Sequence, residues 1–263
     1  MKSKVLKMIM LVTVFMLTMA CGSKSADGKK KYTIGIDTSF PPFEYKKDSK
    51  YTGIDIELLQ AIGKLEGFEV ELKPMDFGGL IPALQSGQLD GVIAGASITE
   101  ERKKSVDFSD PYYESGLVAL VNKGNSTIKT VKDLEGKRLV VKNGTAGAKF
   151  AEDNLKGKAT IRVFEDSAST LKAVENNQAD AAFEDYPVIA YTIKVNPNLN
   201  VKIGTEKLTN NEYGFMVKKG ENKELKNKEI LLKACSIGSR GNVKPFDLQI
   251  NKGEVIGITG LLG

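Results

Sequence analysis

The chain contains no histidine and no tryptophan, and only two of its 263 residues are cysteine. Without histidine there is no Ser-His-Asp or Cys-His nucleophile system and no zinc site built on imidazole. Two cysteines make neither a four-cysteine metal site nor a disulfide framework. Apolar residues make up 41% and charged residues 27%, a globular balance that excludes disordered and low-complexity classes. The net charge of +5 is also thinner than it looks, because residues 1–20 hold three lysines and no acid; the remainder carries only +2. So small and scattered an excess is no footprint for nucleic acid.

The one long apolar run is short for a membrane. Lysines 2, 4 and 7 precede thirteen mostly apolar residues, 8–20 (MIMLVTVFMLTMA), where a spanning helix needs about 20. That is the shape of a signal-peptide core. The run ends in Leu17-Thr18-Met19-Ala20-Cys21, which resembles a bacterial lipoprotein signal, although that pattern prefers leucine where Thr18 stands. The resemblance implies that Cys21 is lipidated and becomes the first mature residue. Residues 21–31 then read as a polar tether. Cys235 is left without a partner cysteine.

From residue 32 onward strand and helix patterns alternate. Tyr32, Ile34 and Ile36 share one strand face, and Ile54, Leu58, Leu59, Ile62 and Leu65 recur at helical spacing. Further strands are expected at 91–95, 117–121, 138–142, 160–164 and 179–183. Helices are expected at 79–85, 145–155, 167–176 with Ser167 as its cap, and 186–195. Two such series predict an α/β protein with two lobes. Ligands of open α/β sheets bind beyond the carboxyl ends of the strands. The polar residues there are Asp37, Ser97 with Arg102 one turn on, Lys142 with Thr145, and Glu184-Asp185. An arginine fork suits a carboxylate, a free carboxylate suits an ammonium, and Phe40 and Phe77 offer aromatic faces. Singly, each has a plainer reading. Arg102 fits a solvated helix, Phe77 a core, and Asp185 a helix cap.

Several stretches together are more specific. IGIDTSFPPFEY (34–45), GIDI (53–56), MDF (75–77), GASITEERKKSVDFSD (95–110), KNGTAG (142–147) and ADAAFEDYP (179–187) closely resemble the amino-acid-binding proteins of ATP-binding-cassette importers, nearest to glutamine-binding members. The resemblance implies a two-lobe periplasmic-binding-protein type II fold with a hinge, the first lobe made of 32–116 with 211–228, the second of 117–210, and the crossings near 115–122 and 211–218. It implies Arg102, Ser97 and Thr145 on the ligand α-carboxylate, and Asp185 with the Gly95 carbonyl on the α-ammonium. Phe40 and Phe77 would sandwich the side chain, with Asp37 and Lys142 at its polar end. Glu184 stands where the glutamine-binding pattern has histidine, and Ser97 where it has threonine. Donors from Lys142 and acceptors from Asp37 and Glu184 suit a neutral amide, so glutamine is the expected ligand. The alternative is that Lys142 and Glu184 pair with each other.

The expected protein is thus a monomeric, lipid-anchored receptor on the outer face of the cell membrane that serves a permease. It uses no cofactor or metal and catalyses nothing. A dehydratase-like enzyme on the same fold, using Glu184 as acid or base, is the rival. The family pattern fades after residue 228. Residues 229–263, ending GEVIGITGLLG, resemble the start of a sugar-transport ATPase domain. They contain no lysine of a complete phosphate loop. The expectation is a foreign or fused tail that leaves the first lobe without its usual closing helix.

Overall fold

The computed structural model describes residues 29–221, 230–239 and 243–251. The signal segment and Cys21 lie outside the described residues, as do parts of the tail. Among the described residues, no helix is long and apolar enough to cross a membrane.

Two five-stranded sheets organise the chain. The first begins with β1 (Lys31–Asp37); after a small hairpin of β2 (Tyr45–Lys47) and β3 (Lys50–Thr52) come α1 (Ile54–Glu66), β4 (Glu69–Met75), α2 (Phe77–Gln85) and β5 (Gly91–Val92). A one-turn helix α3 (Glu100–Lys103) leads to β6 (Val106–Phe108) and then β7 (Tyr113–Ser115). The second sheet draws on β8 (Leu117–Asn122), β9 (Arg138–Lys142), β10 (Thr160–Phe164), β11 (Ala181–Asp185) and β12 (Val201–Ile203). Between these strands lie α4 (Ala146–Leu155), α5 (Ser167–Glu175) and α6 (Tyr186–Val195). The chain returns through β13 (Asn211–Tyr213) and β14 (Met216–Lys218). Strand order is β4-β1-β5-β14-β6 in the first sheet and β10-β9-β11-β8-β12 in the second.

Both faces of the second sheet are covered. Along β8, Leu117, Ala119 and Val121 pack with Ala151 and Leu155 of α4, while Val118 and Leu120 pack with Ala173 and Val174 of α5 and Ile189 of α6. A strand buried on both sides reads as an unbroken apolar run, which is why LVALV carries no alternation.

Several expectations shift. The crossing between lobes is the antiparallel pair β7–β13, Ser115 opposite Asn211 and Tyr113 opposite Tyr213. Residues 117–122 and 216–218 belong to the sheets themselves. The strand expected at 179–183 runs two residues later, because its ladder with β8 extends to Asp185 opposite Leu117. Glu184 and Asp185 therefore end a strand rather than follow one. The cap of α5 is Asp166, whose Oδ1 accepts the Ser169 amide at 2.7 Å, and not Ser167. Helix α2 starts at Phe77, not Gly79. In α1 the buried face is Asp55, Ile56, Leu59 and Gly63, leaving Leu65 82% exposed. The apolar periodicity misplaced this face, because a buried carboxylate, Asp55, turns it inward. In the tail, β15 (Ile230–Ser239) and β16 (Val243–Asn251) pair antiparallel as a separate two-stranded sheet.

Candidate functional site

The carboxyl ends of the strands converge from both sheets, as the fold class requires. Asp37 is the last residue of β1, and the turn after it closes through Phe40 N–H to Glu44 O at 2.6 Å. Gly95 follows β5 with φ +51, and a Cβ there would stand 2.5 Å from the Phe40 ring, so only glycine fits. Arg102 rides on α3, whose cap Thr99 accepts the Arg102 amide at 3.2 Å. From the second sheet come Lys142 at the end of β9, Thr145 capping α4, and Glu184 and Asp185 at the end of β11.

One cavity collects Phe40, Phe77, Gly95, Ser97, Arg102, Lys142, Thr145, Glu184 and Asp185. Of the residues anticipated, only Asp37 is not in its wall. Leu117, Ala146, Gly147 and Phe183 complete the lining and were not anticipated.

The cleft is closed on itself. Asp37 forms a buried ion pair with Lys142, joining the two sheets. Lys142 therefore pairs with Asp37 and not with Glu184. Its ammonium lies 5.2 Å from the Phe40 ring centroid and 5.4 Å from that of Phe77. The two rings expected around a ligand side chain thus face this cation. Arg102 is buried, with Nη1 donating to Ser97 O at 2.7 Å and Nη2 to Gly144 O at 2.9 Å, again across the cleft. Its guanidinium carbon sits 5.2 Å from the Phe77 centroid. The approach is tight: at Gly144, with φ +70, a Cβ would meet the Gly78 Cα at 3.0 Å.

Thr145 is already committed, its hydroxyl donating to Lys142 O at 2.8 Å and accepting the Ala148 amide at 3.1 Å. Ala146 and Gly147, in the first turn of α4, line the cavity, and their amides belong to the helix's N-terminal set. Such amides have no acceptor within their own helix.

Asp185 occupies the cap position of α6 without capping it. Its Oδ2 instead accepts the Tyr213 hydroxyl at 2.5 Å, and Tyr213 accepts from Ser115 Oγ at 3.1 Å. Ser115 and Tyr213 sit on the two crossing strands, so the carboxylate is tied to the crossing itself. Burial, aided by the Glu184 charge, lifts the Asp185 pKa to about 7. Burial also raises the half-buried Glu184, one of whose oxygens accepts the Asp185 amide at 3.0 Å. Desolvation lowers the Arg102 pKa, opposed by the charge of Asp185. Tyr213 was not anticipated. It lies 28 residues beyond Asp185, and no local pattern marks it.

The cavity therefore presents a guanidinium and helix-terminal amides for an anion, a carboxylate for a cation, and aromatic walls. Chains of known function share this framework. The family described as bacterial extracellular solute-binding proteins, family 3, matches residues 32–230. The arginine-binding extracellular protein ArtP of Bacillus subtilis is 44% identical over 148 residues, 55% of this chain and 57% of that protein. The glutamine-binding protein GlnH of the same organism is 35% identical over 239 residues, 82% of this chain and 85% of its own length. Among solved structures, an ancestral arginine-binding protein is 42% identical and covers 73% of this chain and 86% of its own, with a TM-score of 0.70 bound to arginine and 0.69 bound to glutamine.

Proposed function

Because the chain belongs to the bacterial extracellular solute-binding proteins of family 3, we propose that it captures a free amino acid, glutamine favoured, and delivers it to the permease of an ATP-binding-cassette importer. The observation that carries this reading is the presence of Arg102 and Asp185 in one cavity. A zwitterion satisfies both at once: its α-carboxylate takes the arginine fork and the Ala146 and Gly147 amides, and its α-ammonium takes Asp185. Ser97 and the Gly95 carbonyl are placed to assist. Lys142 and Asp37 neutralise each other, so a strongly anionic side chain finds no spare cation. Glu184, with its proton affinity raised by burial, can donate to an amide oxygen or accept from an amide nitrogen. A neutral amide then leaves the buried charges balanced, which favours glutamine.

A second reading follows from the same residue. Ionised, Glu184 is a carboxylate without a basic side chain of its own, because Lys142 is held by Asp37. That arrangement suits a guanidinium, hence arginine. The site holds its ligand by ion pairing at both α-groups and needs no bond-making step, so the reading is a receptor rather than an enzyme.

The proposal extends to segments beyond the site. Lobe one comprises residues 32–116 and 211–228, and lobe two 117–210. Residues 1–20 are a signal peptide, Cys21 carries the lipid that holds a monomer to the outer face of the cell membrane, and residues 229–263 are a fused segment. A thermal-shift panel of the common amino acids on the chain from residue 22 tests the central part. At a thousand times its dissociation constant a ligand adds about 4 kcal/mol, a rise of many degrees. Glutamine is expected to give the largest shift; a larger shift with arginine selects the second reading, and none with any amino acid overturns both.

A further inference from the structure

The first lobe buries a second pair of acids, outside the cavity lining. Glu44 and Asp55 are both 0% exposed. Asp55 Oδ2 accepts the Gly95 amide at 2.8 Å and the Tyr112 hydroxyl at 3.0 Å. Asp55 Oδ1 and both Glu44 carboxyl oxygens receive no N–H or O–H from any other group among the described residues. The two residues are neighbours: the Asp55 amide donates to the carbonyl of Phe43, next to Glu44, at 3.0 Å, and the Asp55 charge bears on the Glu44 carboxyl. Two carboxylates in that position would repel without solvent to screen them, and three buried acceptors would be orphaned. One proton removes the repulsion and joins two of the three oxygens in a single hydrogen bond.

We propose that Glu44 and Asp55 share a single proton in the folded protein, the Glu44 carboxyl donating to Asp55, and that this proton positions residues 95–97 in the cavity wall. Glu44 holds the turn of Phe40 through its backbone, and Asp55 holds Gly95 through its side chain. Both flanks of the site therefore hang on one hydrogen bond. The charged and titratable groups facing the pair are Asp37 of β1, Lys142 of β9 across the cleft, and Tyr112. Asp37 and the mutual repulsion favour keeping the proton, while Lys142 opposes it. Burial acts with the former, raising Asp55 to about 6 and Glu44 well above its usual range. Glu44 and Asp55 are positioning residues; their importance for binding rests on reading the cavity as an amino-acid site, but the shared proton itself does not.

The test uses the ligand-free intact chain at pH 7. Infrared difference spectra of wild type against Glu44→Gln are expected to show loss of a protonated carboxyl band. The Gly95 amide proton resonance is expected to move as the pH rises from 7 to 9 in wild type and to stay fixed in Glu44→Gln. The side-chain amide of that variant donates to Asp55 with no proton to lose. Should Glu44→Gln not fold, Asp55→Asn serves, since its amide donates to an ionised Glu44 and the same band disappears. Loss of a carboxylate band instead overturns the shared proton. A Gly95 resonance that follows pH identically in both chains overturns the positioning role. Neither readout involves an amino acid, so failure of the ligand reading registers separately.

Discussion

The molecule buries two acidic pairs and treats them in opposite ways. Glu44 and Asp55 sit inside the first lobe, with Gly95 and Tyr112 donating to one Asp55 oxygen and the cavity out of reach. Glu184 and Asp185 end a strand of the second lobe and face the cavity, with Tyr213 on one Asp185 oxygen and Arg102 and Lys142 near enough to lower its pKa. Desolvation is the leading force on all four. The inner pair is enclosed by the protein; the outer pair lines the cavity, where the proposed function has it meet an ammonium. The contrast shows that a raised carboxyl pKa alone does not separate a binding group from a structural one. What separates them is whether the carboxyl lines the cavity, as Glu184 and Asp185 do and Glu44 and Asp55 do not.

The Asp37–Lys142 pair provides a third treatment, full charge compensation, and breaking it should have the largest effect. Lys142→Met leaves the Asp37 carboxylate buried and unpaired, a loss of about 3–5 kcal/mol. That is expected as a fall in melting temperature of roughly 10 °C or more. The double variant Lys142→Met with Asp37→Leu should recover most of it. Recovery would show that an uncompensated charge, and not lost packing, was the cost.

Next in size is Arg102→Ala. Removing one partner of a desolvated charge contact costs about 2–5 kcal/mol, so calorimetry should record at least a hundredfold loss of amino-acid affinity. Glu44→Gln, by contrast, should bind within about threefold of wild type at pH 7, since its amide preserves the donor to Asp55. A large loss there would erase the distinction between the two pairs.

The pH dependence sharpens it further. Asp185 must be ionised to take an ammonium, and its pKa in the free protein is about 7. Affinity should therefore climb by up to tenfold per pH unit below 7 and level off above. Asp185→Asn should weaken binding and flatten the profile. Stability of the free protein runs the other way. A carboxyl whose folded pKa exceeds its unfolded value stabilises fully below the unfolded value, about 3.9 for aspartate, and loses that contribution as pH rises through 7. Melting curves without ligand from pH 4 to 8 should show this opposite slope.

The smallest expected effects come from groups that tune Asp185 without touching its charge. Tyr213→Phe removes one hydrogen bond, about 1 kcal/mol or fivefold in affinity. Because that bond favours the ionised form, the midpoint of the affinity profile should move to higher pH. Glu184→Gln should alter the ratio of glutamine to arginine affinity toward glutamine by about tenfold, read from competition titrations.

The legibility of these features in the sequence follows their physics. Strand–helix alternation is local, so the two sheets and nearly all the cavity residues could be placed from it together with the rule that strand ends carry the site. Arg102 and Asp185 fell in the right wall for that reason. Lys142 was expected beside Asp37 at the end of a ligand side chain, with Glu184 as the alternative partner, and its direct pairing with Asp37 was not foreseen. Asp37 lies 105 residues away on the other sheet, and no spacing encodes a contact across a cleft. Tyr213 escaped for the same cause. Asp55 went unmarked: the helix was read from its apolar residues alone, and only a three-dimensional packing that brings Gly95 and Tyr112 over it makes burial the better place for a carboxylate.

The central claim is recognition of both α-groups of one amino acid by Arg102 and Asp185. Calorimetric titration with glutamine, with glutamine lacking its α-ammonium, and with glutamine amidated at its α-carboxylate tests it most directly. The account predicts tight binding of glutamine and at least a hundredfold weaker binding of each analogue, every one having lost a desolvated ionic contact. Equal binding of all three would contradict it.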